Sequence, residues 1–345
     1  MRSADSAWVV RFDGQQSGSV YAGTQTGGFF KSIDEGKTWV SQNQGLTNLD
    51  VRSIDAAGGL IVVGTAQGVF YSNDAAASWH SLGLSSLSIA AVALLPKSGG
   101  TTIFAGADNG TPAGGFLSKT EDLSGNWTVL KGNLPPDAIV ASLAVASAPS
   151  GGSDPPVLAG TSQGIFRSDD RGASWNALGG LPSSDFNLAI FNPANPDQIY
   201  AGSDADQGNG GVFRSLDRGA SWNPLGAGLP SKPRVTALAL QPLNPVQVMA
   251  ATWNPTSGFA AAYRIADSAA TVTGATPTTA PSASTSISSS ARPTAAAPGP
   301  ARRTTGLPVS YQPYAAGVAV LLALVAVIFA RRWRMRREDR RTYGP

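Results

Sequence analysis

SIDEGKTW at Ser32–Trp39, SNDAAASW at Ser72–Trp79, SDDRGASW at Ser168–Trp175 and SLDRGASW at Ser215–Trp222 are variants of one phrase, and a degenerate copy, SKTEDLSGNW, runs from Ser118 to Trp127. The tryptophans that close these stretches, Trp39, Trp79, Trp127, Trp175 and Trp222, are spaced 40, 48, 48 and 47 residues apart. A repeat in the forties built from short apolar runs is the period of a propeller blade. Upstream of each phrase lies a small-residue strand and then an apolar one, as in VLAGTSQGIFRS and IYAGS…GGVFRS. Further upstream lies an alternating strand, such as VTALALQP at Val235–Pro242 or FNLAIFNP at Phe186–Pro193. Each unit therefore predicts four strands, the last opening at the tryptophan. A worn sixth unit ends in AYRIAD, Ala262–Asp267, with Val272 where the others carry tryptophan. Six such units, each needing neighbours to cover its faces, predict an all-β propeller over residues 1–273. A seven-bladed ring lacking a blade at its N-terminal side is the alternative.

The phrase S-x-D-x-G-x-[ST]-W resembles the Asp-box, or BNR repeat, of sialidases, sortilin-type receptors and photosystem II stability/assembly factor-like propellers. With its AGT and G-[VI]-F-[RK]-S elements, the whole unit is most similar to the last group, over about residues 7–270. The resemblance implies a propeller that binds proteins as an assembly or scaffold factor; an extracytoplasmic, sialidase-like glycosidase and a passive surface or adhesion protein are the alternatives. The box recurs in enzymes and non-enzymes alike, so it carries no activity with it.

The box residues have a structural reading. Asp34, Asp74, Asp170 and Asp217, with Ser32, Ser72, Ser168 and Ser215, suit a hairpin turn in which a carboxylate accepts backbone N–H groups. Gly36, Gly172 and Gly219 suit a positive φ. Ala76 stands where the others have glycine and predicts a strained second box. The tryptophans cover apolar surface between strands.

Catalytic chemistry finds little in the composition. The chain of 345 residues has no cysteine and one histidine, His80, which excludes thiolate catalysis and multi-histidine metal sites. A sialidase-type site needs a tyrosine backed by glutamate and an arginine cluster, yet the propeller holds only Glu35 and Glu121, both in box turns. Its arginines mostly repeat in register. The expectation is no enzyme, no cofactor and no metal, although 18 Asp before residue 271 leave a two-carboxylate glycosidase open by composition. Phe30, Phe70, Phe166, Phe213 and Tyr263 repeat in register and predict core between blades. One repeat position holds Lys31, Tyr71, Ser118, Arg167, Arg214 and Arg264. Lys31, Arg167, Arg214 and Arg264 are the candidate partner-binding residues, a basic band for an anionic surface. The alternative is that their stems cover the blades while their heads stay solvated.

Charge separates the remaining parts. Residues 1–270 carry 15 Lys and Arg against 20 Asp and Glu, and residues 271–345 carry 10 Arg against Glu338 and Asp339. The acidic front argues against a nucleic-acid partner. Of residues 271–310, 33 are Ala, Ser, Thr, Pro or Gly, a composition that cannot bury enough apolar surface to order itself. Residues 274–310 are expected to be a disordered stalk. From Tyr314 to Ala330 no residue is charged, a length of roughly 25 Å as a helix. Residues 311–331 are expected to cross the lipid bilayer once. The seven arginines among residues 331–341 place the tail, residues 332–345, in the cytoplasm and the propeller outside, where an extracytoplasmic or membrane protein would be its partner. Export would need a signal, and Trp8-Val9-Val10 already reads as a strand. We therefore expect the true start to lie upstream. A tail-anchored protein with a cytoplasmic propeller is the competing reading. A wall-sorting signal is disfavoured because LPVSY departs from LPxTG.

Overall fold

The computed structural model describes residues 6–269, apart from 15, 17, 109–115, 131, 148–153, 183–185, 204–209, 226–228, 230–232, 242–244 and 255–258. The stalk, the expected span, the basic tail and Val272 lie outside the described residues. Among the described residues there is no helix, and so no helix long and apolar enough to cross a membrane.

The chain is a six-bladed β-propeller. Blade 1 is built from β1 (Ala7–Phe12), β2 (Val20–Thr24), β3 (Phe29–Ser32) and β4 (Val40–Ser41). Blade 2 is β5 (Val51–Ala57), β6 (Leu60–Thr65), β7 (Gly68–Ser72) and β8 (His80–Gly83). Blade 3 is β9 (Ile89–Lys97), β10 (Gly100–Ala107), β11 (Leu117–Thr120) and β12 (Thr128–Val129). Blade 4 is β13 (Val140–Val145), β14 (Val157–Thr161), β15 (Gly164–Ser168) and β16 (Asn176–Ala177). Blade 5 is β17 (Leu188–Asn192), β18 (Asn195–Gly202), β19 (Val212–Ser215) and β20 (Asn223–Pro224). Blade 6 is β21 (Arg234–Gln241), β22 (Val246–Asn254) and β23 (Phe259–Asp267), three strands among the described residues. Every sheet is an antiparallel meander, and the first strands adjoin in the order β1, β5, β9, β13, β17, β21.

The A-G-T run explains how blades approach one another. In β14, VLAGT is buried at every residue, so both faces of the strand are covered. Its glycine marks the contact: a Cβ on Gly160 would stand 2.2 Å from the Asn187 carbonyl oxygen at the start of blade 5. The same glycine in blades 1, 2 and 3 would bring a Cβ within 2.6 Å of Val51, 2.6 Å of Ile89 and 2.5 Å of Val140. Any side chain there would push the next blade away. The threonine that follows closes the turn to the third strand, with Thr161 Oγ1 donating to the Gly164 carbonyl at 2.8 Å.

Between blades the apolar faces merge into five clusters. Tyr21 and Phe29 of blade 1 meet Val63, Phe70 and Trp79 of blade 2. Phe104 and Leu117 of blade 3 meet Ala159, Phe166 and Trp175 of blade 4. Tyr200 and Val212 of blade 5 meet Val248, Ala250 and Ile265 of blade 6. In each cluster, side chains from two adjacent blades interdigitate into one close-packed layer. Box tryptophans after the first reach back to the preceding blade. Trp79 Nε1 donates to the Gln42 carbonyl at 2.8 Å, and Trp127 Nε1 to the Leu82 carbonyl at 2.6 Å. Trp175 is fully buried, which contributes on the order of 5 kcal/mol of gross transfer free energy. Trp39, in the first blade, turns instead to its own Gly36 carbonyl at 2.9 Å.

Candidate functional site

The box turn joins the third strand to the fourth. Ser32 Oγ donates to Asp34 Oδ1 at 2.7 Å and accepts the Gly36 amide at 2.8 Å. Asp34 accepts the Thr38 amide at 2.8 Å on one oxygen and the Thr38 hydroxyl at 2.6 Å on the other. Ser72 with Asp74, Ser168 with Asp170, and Ser215 with Asp217 repeat the arrangement. The two residues after each aspartate are left-handed, and in the second box both are alanines, at φ 61° and 71°. Chiefly the hydroxyls of Thr38, Ser78 and Ser221 pull Asp34, Asp74 and Asp217 down to about 2. These carboxylates are hydrogen-bonded in full to their own turns.

Blade 3 corrects the sequence alignment. Lys119 pairs with Phe104, as Lys31 pairs with Tyr21, and Ser118 pairs with Ala105 one position earlier. The degenerate box therefore starts at Thr120, not Ser118, and runs eight residues to Trp127. Asp122 keeps its place and accepts the Ser124 amide at 2.9 Å. Serine at the usual glycine position shifted the apparent register by two.

The basic band faces the next blade. Lys31 Nζ donates to the Ala75 carbonyl of blade 2 at 3.2 Å, and Lys119 Nζ to the Arg171 carbonyl of blade 4 at 3.0 Å. Arg167, 4% exposed, pairs with Asp169 at 2.9 Å and lies over the Phe191 ring of blade 5. Arg214 reaches Asp267 of blade 6. Arg264 is exposed on β23. His80 is exposed, with its ring 5.4 Å from that of Tyr71.

Sequence reading missed a network at the opposite end of the blades, where first strands begin and second strands end. Trp8 Nε1 donates to Asp50 at 2.5 Å. Arg52 grips Asp50 through Nε at 3.0 Å and Nη2 at 2.8 Å. Its Nη1 reaches Asp108 at 3.0 Å and also Ser88. Blades 1, 2 and 3 are thus tied by charge and indole around one partly exposed guanidinium. The signal was available: Trp8, Arg52 and Ala90 occupy one register position and share no chemistry, so the repeat breaks there. Two carboxylates flanking an arginine could hold a cationic or hydroxyl-rich group, or work as a pair on an acetal.

The geometry defines a β-propeller with repeat-built turns and, at the end of the blades opposite them, a charged network that departs from the repeat. No family model matches the chain, and no curated protein matches it. Solved structures do. An ancestral GH74 enzyme superposes with a TM-score of 0.59 at 19% identity, over 75% of this chain and 38% of that one. The GH74 xyloglucanase from Xanthomonas campestris gives 0.57 at 17% identity, over 76% and 44%. YCF48 bound to D1 peptide gives 0.55 at 15% identity, over 78% and 80%. At these identities the likeness is one of fold. The chain spans less than half the length of the two GH74 structures.

These neighbours overturn the expectation that the chain is no enzyme. That reading counted histidines and glutamates against a sialidase-type site. GH74 enzymes share this architecture, and acid–base hydrolysis of a glycoside asks only for two suitably placed carboxylates. The absence of a sialidase set therefore excludes one chemistry, not catalysis.

Proposed function

We propose that the chain is a protein-binding propeller of the Asp-box type, similar to assembly-factor propellers, held at a membrane by its C-terminal segment with the propeller outside the cytoplasm. The observation that carries this reading is where the repeat breaks. The box carboxylates close their own turns, and Lys31, Arg167 and Arg214 engage their own or neighbouring blades. The Trp8–Asp50–Arg52–Asp108 network departs from the repeat, at the end of the blades opposite the box turns. The last described strand, β23, ends on the box-turn side. A stalk continuing from there leaves the network's end turned away from its attachment. YCF48, whose solved structure holds a D1 peptide, matches this chain over most of both lengths.

Affinity purification of the full chain from gently solubilised membranes tests the reading. One partner in fixed stoichiometry, lost on Arg52→Glu, is expected; recovery of the chain alone would overturn it. Glycoside hydrolysis is the second reading, favoured by the GH74 neighbours and by the Asp50–Arg52–Asp108 arrangement. It would appear as cleavage of xyloglucan or fluorogenic glycosides that Asp50→Asn and Asp108→Asn both abolish.

A further inference from the structure

Asp267 occupies the box position held by Asp34, Asp74, Asp170 and Asp217 in other blades, yet its main contacts differ. The ladder sets the equivalence: Met249 pairs with Arg264 as Tyr21 pairs with Lys31, which puts Asp267 at the place of Asp34. In blades 1, 2, 4 and 5 this carboxylate folds onto its own turn. In blade 6 it points back into blade 5. Oδ2 accepts the Tyr200 hydroxyl at 2.9 Å, and Oδ1 accepts Arg214 and the Ala269 amide, the latter at 3.1 Å. Asp267 is 1% exposed and Tyr200 fully buried. The arrangement is a buried carboxylate held from two strands of the preceding blade, β18 and β19.

Asp267 is also the last residue of β23, and residues 270–345 follow it in the chain within three positions. Tension on that segment arrives first at the Asp267–Val246 pair. β23 pairs with β22 along its whole length through bonds perpendicular to the strands, so load with a component across the ladder opens it pair by pair from the Asp267 end. A side-chain bolt into blade 5 stops this at its first step, because the carboxylate must leave two donors in a dry site before the second pair feels load.

We propose that Asp267, Tyr200 and Arg214 form a mechanical lock that transfers load from the C-terminal segment to blade 5 and prevents β23 from peeling. The source of the load rests on the anchored topology proposed above. The lock can be measured without it, so a chain that proves unanchored would remove the source and leave the lock's strength standing.

The chain has no cysteine, so single-cysteine handles attach selectively. Full-length protein carrying Thr47→Cys is held at that residue and pulled at constant force from the C-terminus or, separately, from the N-terminus. With Asp267→Asn the lifetime under C-terminal load is expected to shorten by about a hundredfold, and with Tyr200→Phe, which keeps the packing, by about tenfold. Under N-terminal load both variants are expected to stay within about threefold of the parent. Equal shortening from both ends would make the cluster an ordinary stabilising contact and overturn the proposal, as would no change under C-terminal load.

Discussion

Replacing Gly160 with alanine tests the blade-to-blade contact directly. The new methyl would sit 2.2 Å from the Asn187 carbonyl oxygen, 2.3 Å from Ser142 Oγ and 2.7 Å from the Asn187 carbonyl carbon. Ser142 can turn away, although it would lose its 2.7 Å bond to that same carbonyl. The backbone of Asn187 cannot turn, so blade 5 must retreat by close to 1 Å to restore ordinary contact. That movement thins the cluster of Leu158, Ile165, Phe186 and Ala189 beside it. Overpacking alone costs about 1–3 kcal/mol, and the loosened cluster adds to it, so about 3–4 kcal/mol is expected. For a domain of this size, that lowers the melting temperature by roughly 6–16 °C. Gly164→Ala is the control: no atom lies within 4 Å of its Cβ, and only its φ of +110° opposes substitution, at about 1–2 kcal/mol. Thermal melts of both variants, followed by circular dichroism, should rank Gly160→Ala clearly below Gly164→Ala. If Gly160→Ala melts within about 2 °C of the parent, the close-approach account of the A-G-T run is wrong.

Three further outcomes are expected. Ala75 is exposed and left-handed at φ 61°, so Ala75→Gly should stabilise by about 0.5–1 kcal/mol, seen as a raised denaturant midpoint. Asp217→Ala strips the buried Ser215 hydroxyl of its acceptor and should cost about 1–3 kcal/mol in the same assay. Asp34, Asp74 and Asp217 have folded values near 2, below the ordinary carboxylate range, so their contribution is complete above about pH 4 and is lost as pH falls toward 2. The penalty of Asp217→Asn should accordingly shrink between pH 5 and pH 2.5, and a penalty that grew would reverse the sign of the argument.

The fold was legible because its units repeat. Tryptophan spacing, the box and the A-G-T run each recur, and one mistaken copy, Ser118 for Thr120, left the blade count intact. Register in blade 3 failed because serine replaced glycine in the turn and gave a second serine a false alignment. The band at Lys31, Arg167, Arg214 and Arg264 was found by position, but its direction was not. Which neighbour a side chain reaches depends on the blade-to-blade angle, which no single unit encodes. The Trp8–Asp50–Arg52–Asp108 network stayed hidden because its members are 42, 2 and 56 residues apart. The packing of Asp267 into blade 5 was equally invisible, because its partners Tyr200 and Arg214 lie 67 and 53 residues away.

The central claim, that the end of the propeller opposite the box turns receives a protein partner, is tested most directly by residue-resolved photo-crosslinking of the full chain in its native membrane. Probes at Thr47 and Gln67 stand at that end, and probes at Lys37 and Ala77 stand in exposed box turns. The account expects one discrete crosslinked species of constant mass from Thr47 and Gln67, and none of that mass from Lys37 or Ala77. Crosslinks confined to Lys37 and Ala77, or none from any of the four, would contradict it.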